Sequence, residues 1–453
     1  MTESDHPATM TMDAPSGQTR AGDRVLVLGA YGLIGYGITR RLLAAGYRVT
    51  GLGRNAATAG RVLPELDWVL NDIRTLTAAA DWAPILRGIS AVVNCAGALQ
   101  DGPGDDLEAV HHHAIAALAT ACAASGTRLI QISAVGAEPD ASTRFMASKA
   151  RGDAAIRASG CRYHIFRPGL VLAPHAYGGT ALLRMLAAVP LVQPIAIPDA
   201  RIQTVSLDDI AFAVCAALDG KVPDGFVGDL VERDTHSLRE IVTAVRTWLG
   251  FGEPKLEVRA GKVGTAVASA VADAVSDLGW RSPMRTTALA TLTEGVTGNP
   301  SAWDGLGLRP LSPLRDTLAS MPATAEDRLF ARMSLLLPLL IATLFAFWLL
   351  SGLIGLARIG QAAEVLQGAG WPRPAALASV AVWSAVDIAI AAALLIRRTA
   401  KAACWAMVIV SCAYLVASTV IVPHLWLDPL GPLIKIGPGI VLALVTRVAL
   451  ETR

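Results

Sequence analysis

The composition of the chain excludes an ordinary soluble enzyme. Its 453 residues are 53% apolar and 17% charged, whereas charged residues make up about 25% of a typical globular domain. The mean hydropathy is +0.47, so we expect part of the chain to lie in lipid. The formal net charge of +2 is far from the strong basic excess of a nucleic-acid-binding domain, so no nucleic-acid partner is expected.

Charged residues are concentrated at the front of the chain. Of the 76 Lys, Arg, Asp and Glu residues, 63 lie in residues 1–330 and 13 in the last 123. The front part carries a net charge of −3 and the tail +5. Residues 1–22 are polar and lack the apolar core of a signal peptide, which predicts a disordered leader.

The six cysteines give no sign of a metal site. They form neither a CxxC pair nor a regular series of spacings, which argues against a zinc site or a disulfide framework. We therefore expect no metal, and a reduced cytosolic setting for the front of the chain.

Strand-like and helix-like segments alternate from Arg24 onward. A short apolar run, Arg24–Gly29, precedes a segment with helical periodicity, Leu33–Gly46, and similar pairs follow. This alternation predicts an α/β fold with a doubly wound parallel sheet over residues 23–300. The alternation weakens over about 170–300, which predicts a smaller substrate lobe. Residues 301–332 are interpreted as a linker that ends in an amphipathic helix.

The tail predicts an all-α transmembrane bundle of about four helices over residues 333–453. Met333–Ala357 contains no charge over 25 residues, enough to cross a hydrocarbon core of about 30 Å. The other predicted spans are residues 375–396, 402–422 and 433–450. Lys435 and Arg447 interrupt the last one, so a re-entrant or surface helix stays an alternative for it.

Basic residues predict the orientation of these spans. Arg397, Arg398 and Lys401 crowd the short loop between the second and third spans. The positive-inside rule places this loop in the cytoplasm. We therefore predict a multi-pass protein of the inner (cytoplasmic) membrane, with its amino-terminal domain and Arg453 cytoplasmic.

A glycine motif marks the end of the first predicted strand. Gly29, Gly32 and Gly35 form GxxGxxG between that strand and the first helix. Glycines are needed in such a loop for a tight turn, for close approach to a pyrophosphate and for helix packing, and the helix amino terminus favours the anion. The motif predicts a dinucleotide site of the Rossmann type.

The end of the second strand favours NADP(H) over NAD(H). An NAD site usually has a carboxylate there for the ribose hydroxyls, but residues 51–55 read Gly-Leu-Gly-Arg-Asn. Arg54 can pair with a 2′-phosphate. Asp72, after the third strand, is placed to meet the adenine, with helix capping as its alternative role.

The front 300 residues resemble the atypical and extended short-chain dehydrogenase/reductase superfamily, through the glycine loop, Asn94–Gly97, Ser133, Lys149 and Arg167–Gly169. The nearest likeness is to the branch that contains NmrA-like proteins and the complex I 39-kilodalton-type accessory subunit, through residues 133–136, Ser-Ala-Val-Gly. The resemblance implies catalytic roles for Ser133 and Lys149. The predicted cofactor-binding residues are Gly29, Tyr31, Gly32, Leu33, Ile34, Gly35, Arg54, Asp72, Ile73, Asn94, Ala96, Gly97, Ser133, Lys149, Pro168 and Gly169.

The chain departs from this family at one position. The family's Tyr-x-x-x-Lys reads Phe145-Met-Ala-Ser-Lys149 here, and phenylalanine has no proton to give. Loss of the general acid can remove a factor of about 10² to 10⁴ in rate. The substitutes considered are Arg144, Ser142, Ser148 and the three adjacent histidines, His111, His112 and His113. Those histidines diverge by about 100° each on a helix, so at most one can face the cofactor and the three cannot share a metal.

The last 120 residues resemble the DoxX-like group of four-helix membrane proteins, through Trp348–Gly355 and Asp428–Lys435. This resemblance suggests quinone-linked redox chemistry. Asp387 is singled out because a carboxyl inside a span is costly unless it is paired or protonated. Tyr414 is expected at the same depth, and Arg447 is expected to reach toward the pair from the inner surface. A site for a lipid headgroup or proton and a packing role are both considered.

Two functions follow from these features. One is a membrane-anchored, NADP(H)-binding oxidoreductase that acts on a lipophilic carbonyl or quinone-like substrate from the bilayer. The other is a module without turnover, with the nucleotide as a structural or sensing ligand and the membrane bundle as a platform for a homo-oligomer or a membrane-complex partner. An epimerase or dehydratase is disfavoured because those enzymes also need the tyrosine.

Overall fold

The computed structural model describes residues 22–98, 106–259, 292–429 and 431–452, together with 261, 264, 266, 270 and 278–280. The predicted leader lies outside the described residues except for Gly22. The chain divides into two compact units. The first contains Met1–Thr180, Ile197–Ala244 and Thr287–Pro322, and the second contains Ala181–Ala196, Val245–Thr286 and Ala323–Arg453.

The strands in chain order are β1 (Arg24–Leu28), β2 (Arg48–Gly53), β3 (Asp67–Leu70), β4 (Ala91–Asn94), β5 (Arg128–Ile132), β6 (Tyr163–Pro168), β7 (Leu170–Leu172), β8 (Val192–Ile195), β9 (Arg201–Ile202), β10 (Thr204–Ser206), β11 (Phe226–Leu230), β12 (His236–Ser237) and β13 (Leu256–Arg259). The helices are α1 (Leu33–Ala44), α2 (Ala56–Val62), α3 (Ala79–Trp82), α4 (Ala114–Ser125), α5 (Arg144–Ala158), α6 (Gly179–Ala187), α7 (Leu207–Leu218), α8 (Leu238–Trp248), α9 (Ser301–Asp304), α10 (Leu314–Ser320), α11 (Ala325–Ala357), α12 (Ile359–Gly368), α13 (Arg373–Leu395), α14 (Ala400–Ile421) and α15 (Ile436–Ala449). A π-helical segment, Ala109–His113, leads directly into α4.

The first unit contains the predicted doubly wound sheet. Seven strands pair in the order β11-β6-β5-β4-β1-β2-β3, and each neighbouring pair is parallel. The order reverses direction between β1 and β4, where Val25 pairs with Ala91. In open α/β sheets, ligands bind outside the carboxyl ends of the strands at such a switch point. The predicted fold class is confirmed for this unit.

The central strand β1 is buried on both faces of the sheet. Val25 and Val27 pack with Ile38 and Leu42 of α1 in one core cluster. Leu26 and Leu28 pack in the opposite cluster, together with residues of α4. Helices on both faces explain why this strand is a continuous apolar run without alternating polar residues.

The structure differs from the predicted linker over residues 301–332. Trp303 is completely buried in the core of the first unit. The buried Glu232 carboxylate accepts a hydrogen bond from the backbone N–H of Leu314 at 2.7 Å. Residues up to 322 therefore pack on the sheet unit. Thr324 then caps α11 through a reciprocal contact with Asp327, so the expected amphipathic helix is continuous with the first span.

The membrane part has three helices that are long and apolar enough to cross a bilayer among the described residues: α11, α13 and α14. These agree with the first three predicted spans. The predicted fourth span differs, because α15 has 14 residues and extends about 21 Å at 1.5 Å per residue. A helix of this length is shorter than the hydrocarbon core of about 30 Å.

Candidate active site

The glycine loop places bare backbone where β1 meets α1. Gly29 has a φ of +69°, a conformation that side chains disfavour. A Cβ on Gly29 would lie 3.1 Å from the Ala96 Cα, and one on Gly35 would lie 2.2 Å from the Gly29 carbonyl oxygen. No side chain caps α1. The amides of its first turn have no intrahelical acceptor, so this end of the helix suits a diphosphate.

Tyr31 of the loop lies across the end of β2. Its ring stacks on Trp68 with centroids 5.6 Å apart, and its hydroxyl accepts a hydrogen bond from the Arg54 backbone N–H at 3.1 Å. A Cβ on Gly53 would lie 2.3 Å from the Tyr31 ring, so only glycine fits beneath it. Tyr31 therefore fixes the backbone from which the exposed Arg54 side chain extends.

Asp72 is engaged by a residue that the sequence analysis missed. Its carboxylate accepts from the Arg74 backbone N–H at 3.1 Å and from the Arg74 guanidinium at 2.6 Å. The hydrogen bond from the Arg74 side chain lowers the pKa of Asp72, and the charge of Arg54 acts in the same direction. Asp72 thus caps the short turn that contains the buried Ile73, with the Arg74 guanidinium bound to its carboxylate.

The loop after β4 is held by side-chain hydrogen bonds. The Asn94 amide donates to Gln131 at 2.8 Å and accepts from the Ala96 N–H at 3.0 Å. A Cβ on Gly97 would lie 3.3 Å from the His111 Nε2 atom. Asn94, Ala96 and Gly97 therefore shape the backbone that faces the glycine loop.

One of the three adjacent histidines lies beneath this loop. His111 is buried, and its Nε2 atom accepts from the Ala98 N–H at 3.1 Å. That contact assigns the proton to Nδ1, which lies 2.9 Å from the Ser148 hydroxyl; Ser148 in turn donates to the Phe145 carbonyl at 2.9 Å. Burial lowers the pKa of His111 to about 2, so this histidine is neutral.

His112 and His113 lie elsewhere. One ring nitrogen of each histidine and a carboxylate oxygen of Glu108 all lie within 4.8 Å of one another. They come together because the π-helical segment changes the angular spacing of residues along the chain. Glu108 is also held by the Arg151 guanidinium. His112 and His113 are therefore separated from the loop that His111 contacts.

Ser133 and Lys149 belong to a buried polar network. The Ser133 hydroxyl donates to Asp153 Oδ2 at 2.8 Å, and Arg167 Nε approaches the same oxygen at 3.4 Å. The Lys149 ammonium donates to the Ile132 carbonyl at 3.2 Å. Lys149 and Asp153 are spaced i, i+4 on α5, the spacing that lets side chains of one helix face interact. That spacing was the available sequence signal for Asp153, which the sequence analysis missed.

Burial shifts the pKa values of the two ionisable groups Lys149 and Asp153 in this network. Lys149 has an exposed fraction of 7% and Asp153 of 0%. Burial lowers the pKa of Lys149 and raises that of Asp153, and the attraction between the two groups opposes both shifts. Asp153 Oδ1 has no hydrogen-bond partner among the described residues. An ammonium in this position gives up its proton more readily than an exposed lysine does.

Phe145 supplies only an apolar surface to the network. The Lys149 Nζ atom is 5.7 Å from the centre of its ring, and His111 packs against it edge to face at 5.5 Å. The hydroxyl of Ser142, a proposed substitute for the missing acid, donates a hydrogen bond to Glu294. The Ser148 hydroxyl is hydrogen-bonded to His111 and to the Phe145 carbonyl. The Lys149 amino group therefore lies over the Phe145 ring.

Pro168 and Gly169, at the end of β6, pack closely against neighbouring backbone. The Pro168 carbonyl accepts from the Val135 N–H at 3.2 Å. A Cβ on Gly169 would lie 2.5 Å from the Gln203 carbonyl oxygen. In the described residues, these two positions thus contribute close backbone packing.

In the membrane part, Asp387 and Tyr414 are brought together. Asp387 Oδ1 accepts from the Tyr414 hydroxyl at 2.9 Å, and Oδ2 accepts from the Ser351 hydroxyl at 2.8 Å. Both carboxyl oxygens accept hydrogen bonds from hydroxyl groups of other helices, Ser351 of α11 and Tyr414 of α14, so the carboxyl on α13 links the three helices. The expected approach of Arg447 was wrong: its guanidinium pairs with Glu451 at 2.8 Å and lies over the Trp405 ring.

Comparison with known proteins identifies two regions of the chain. Residues 29–188 match a family model described as NAD(P)H-binding, and residues 345–444 match the DoxX-like family model. The chain therefore joins an NAD(P)-binding domain to a DoxX-like domain.

Individual proteins are similar to this chain. The ceramide reductase of Caulobacter vibrioides is a homologue that is 27% identical over 262 residues, which cover 57% of this chain and 80% of that protein. The Bordetella bronchiseptica enzyme WbmG, solved in complex with NAD, is 19% identical with a TM-score of 0.51, covering 68% of this chain and 94% of its own. The UDP-glucuronic acid 4-epimerase from Bacillus cereus, solved with UDP-glucuronic acid and NAD, is 17% identical with a TM-score of 0.48, covering 68% and 99%. The likeness to WbmG shows the Rossmann fold.

His111 makes the stability of the protein sensitive to acid. Its pKa of about 2 in the folded protein lies below the value of about 6.5 in an unfolded chain. The unfolded state therefore binds the proton first, and stability falls as the pH drops below about 6.5. We expect His111→Gln to remove about 2 kcal/mol of the stability difference between pH 7 and pH 5. Thermal unfolding in detergent at both pH values measures this effect.

The control for this experiment is His113→Gln, because His113 is exposed. This variant should keep the pH dependence of the unsubstituted protein. Equal pH dependence in the His111 and His113 variants would contradict the assigned neutral state.

The hydroxyl contacts of Asp387 predict energetic coupling between helices. Tyr414→Phe should reduce the free energy of unfolding by about 1 kcal/mol when Asp387 is present and by nearly nothing in an Asp387→Leu background, as intramembrane hydrogen bonds contribute about 0.6–2 kcal/mol. A double-mutant cycle on the protein in bilayer discs measures the coupling. Thr446→Val is the control, since the Thr446 hydroxyl donates to Leu442 in its own helix. A coupling no larger than that of the Thr446 cycle would exclude the link.

Proposed function

We propose that this protein is a membrane-anchored reductase that uses NADPH to reduce a lipophilic carbonyl or quinone-like group of a membrane molecule. The observation that carries the proposal is the intact network of Ser133, Lys149 and Asp153 in a chain that continues into membrane-spanning helices. The homology to a ceramide reductase supports a lipid carbonyl, such as a keto group on a ceramide-like molecule, as the substrate class.

The glycine loop fits the nucleotide. The positions where a Cβ would collide with backbone, Gly29 and Gly35, leave room for a diphosphate against the first turn of α1. The end of β2 carries Arg54 with no carboxylate beside it in residues 51–55, and Arg74 adds a second guanidinium near Asp72. This excess of positive charge supports a 2′-phosphate and hence NADP(H).

Lys149 is the proposed proton donor in place of the family's tyrosine. NADPH bound at the glycine loop would supply the hydride that reduces the carbonyl carbon. The Lys149 ammonium gives a proton to the carbonyl oxygen, which completes the alcohol, and regains a proton from solvent. Its lowered pKa favours this transfer, and Asp153 keeps the ammonium in position through its charge. The Ser133 hydroxyl, which donates to Asp153 in this structure, would turn to donate a hydrogen bond to the carbonyl oxygen of the substrate.

The proposed location is the inner (cytoplasmic) membrane, with the nucleotide domain in the cytoplasm. Arg397, Arg398 and Lys401 lie between α13 and α14, and Arg397 donates to the Leu450 carbonyl near the end of the chain at 3.0 Å. These contacts support one basic face for the membrane part, which the positive-inside rule assigns to the cytoplasm.

A module without turnover is the second candidate. Phe145 favours it, since the position has no proton to give. In that case the nucleotide binds as a structural or sensing ligand, and the bundle serves as a platform for assembly.

Turnover distinguishes the two candidates. The purified full-length protein in bilayer discs should oxidise NADPH in the presence of keto-lipids or quinones, and Lys149→Met should abolish this activity. The rate should fall as the pH rises through the pKa of Lys149, which lies below its usual value of 10.5, because the charged form is the donor. Phe145→Tyr should raise kcat by about tenfold or more by restoring a general acid.

The module is established instead if NADPH binds tightly and neither the native protein nor Phe145→Tyr oxidises it with any of these substrates. A native protein that turns over with Lys149→Met unimpaired retains the reductase assignment but excludes Lys149 as the donor.

Arg54 is expected to select NADP(H). Arg54→Gln should weaken NADPH binding about tenfold, the loss expected for one charge-assisted contact of about 1.4 kcal/mol, and leave NADH binding unchanged. Calorimetric titration of both dinucleotides measures this. Arg61→Gln, an exposed substitution on the neighbouring α2, is the matched control. Equal weakening of NADH and NADPH, or a native preference for NADH, would contradict the assignment.

A further inference from the structure

The second unit contains segments outside the predicted spans that contact the membrane helices at their ends. The Arg332 guanidinium lies 5.0 Å from the centre of the Phe251 ring. Arg332 is the last charged residue before the uncharged run that begins at Met333. Since one residue of helix spans about 1.5 Å, Phe251 lies at the level where α11 enters the bilayer.

A second contact lies at the end of α13. The Trp280 indole N–H donates to the Leu395 carbonyl at 2.5 Å, and the Arg397 backbone N–H donates to the Leu278 carbonyl at 2.9 Å. α11 and α13 are consecutive spans, so they cross in opposite directions. The start of α11 and the end of α13 therefore lie on the same face of the membrane, and Phe251 and Trp280 both lie at that face.

Exposed apolar side chains occur on β13, which follows Phe251 in the chain, and next to β8, the strand paired with it. β13 pairs with β8 in a two-stranded parallel sheet, and Leu256 and Val258 of β13 are 57% and 43% exposed. Their spacing of two residues puts them on one face of the strand. Leu191, which is 59% exposed, accepts hydrogen bonds from the backbone N–H groups of Lys255 and Leu256 through its carbonyl, at 2.8 and 3.1 Å.

The backbone of Leu191 is held in an unfavourable conformation. Its φ is +63°, and among the described residues it is the one non-glycine residue with a positive φ. Such a conformation persists only where surrounding contacts impose it. It keeps a large apolar side chain in contact with solvent, on a residue whose carbonyl is hydrogen-bonded to the first residue of β13. Exposed apolar side chains grouped on a surface are typical of sites that bind another protein or a membrane.

We propose that Leu191, Leu256 and Val258, together the interfacial patch, insert into the headgroup and upper acyl region of the same bilayer that α11 crosses. The aromatic rings of Phe251 and Trp280 at that face suit the membrane boundary, and Leu256 and Val258 follow Phe251 by five and seven residues in the chain. Lys255 beside Leu256 provides a cation for lipid phosphates. The patch does not depend on the proposed reductase activity.

The test uses the full-length protein with Cys412, the exposed cysteine, replaced by serine. Single cysteines at Leu256 and at Val258 are labelled with the environment-sensitive dye NBD. Glu257→Cys is the matched control, because its side chain points to the opposite face of β13. Each protein is reconstituted into vesicles of equal parts phosphatidylcholine and phosphatidylglycerol, with and without a lipid that carries a doxyl quencher high on its acyl chain.

Insertion predicts blue-shifted emission at positions 256 and 258, with doxyl quenching at least about twofold stronger than at position 257. Water-like emission and equal, weak quenching at all three positions would overturn the proposal. Blue-shifted emission without doxyl quenching would also overturn it, since it would show that protein, such as a second copy of the chain, covers the patch. A Leu191→Gly variant, which relieves the φ of +63°, keeps the fold and should reduce quenching at position 256.

Discussion

The close approach of three backbone segments at the end of β1 is the constraint on which the nucleotide unit depends. Gly29 turns with a positive φ beside Ala96, and Gly35 of α1 faces the Gly29 carbonyl with no room for a Cβ. This contact fixes where α1 starts relative to β1 and β4. The first turn of the helix therefore opens at the switch point of the sheet, where diphosphates bind. A larger side chain at Gly29 or Gly35 would push these segments apart and would also fill the space for the diphosphate.

The buried charges explain how the fold tolerates Phe145. An unpaired charge inside a protein is costly, yet Lys149 and Asp153 attract each other, and Ser133 and Arg167 contact one oxygen of the carboxylate. His111 and Ser148 likewise bond to each other and to backbone. None of these hydrogen bonds involves the side chain at position 145. Replacement of the tyrosine therefore changes the chemistry of the site while leaving these hydrogen bonds in place.

The two units are stabilised in different solvents. In the first, burial of apolar side chains between sheet and helices provides the driving force in water. In the membrane part lipid is as apolar as the side chains, so close contact of small residues and hydrogen bonds matter more. Gly352 and Gly355 of α11 lie against Ser384, and Asp387 joins three helices through two hydroxyl groups.

The sequence by itself determined the sheet class, the glycine loop and the three long spans, because these depend on local periodicity and on glycine spacing that the chain order records directly. It also indicated that Asp387 and Tyr414 would meet, since helical rise sets depth in a bilayer. Only the tertiary structure decided the partner of Asp72, the hydrogen bond of Ser133 to Asp153, the burial of His111 and the packing of Trp303 on the sheet unit. It also decided that Arg447 turns to Glu451. Each of these depends on contacts between residues that are remote in sequence, or on a choice among rotamers and partners, and no local pattern in the chain encodes that choice.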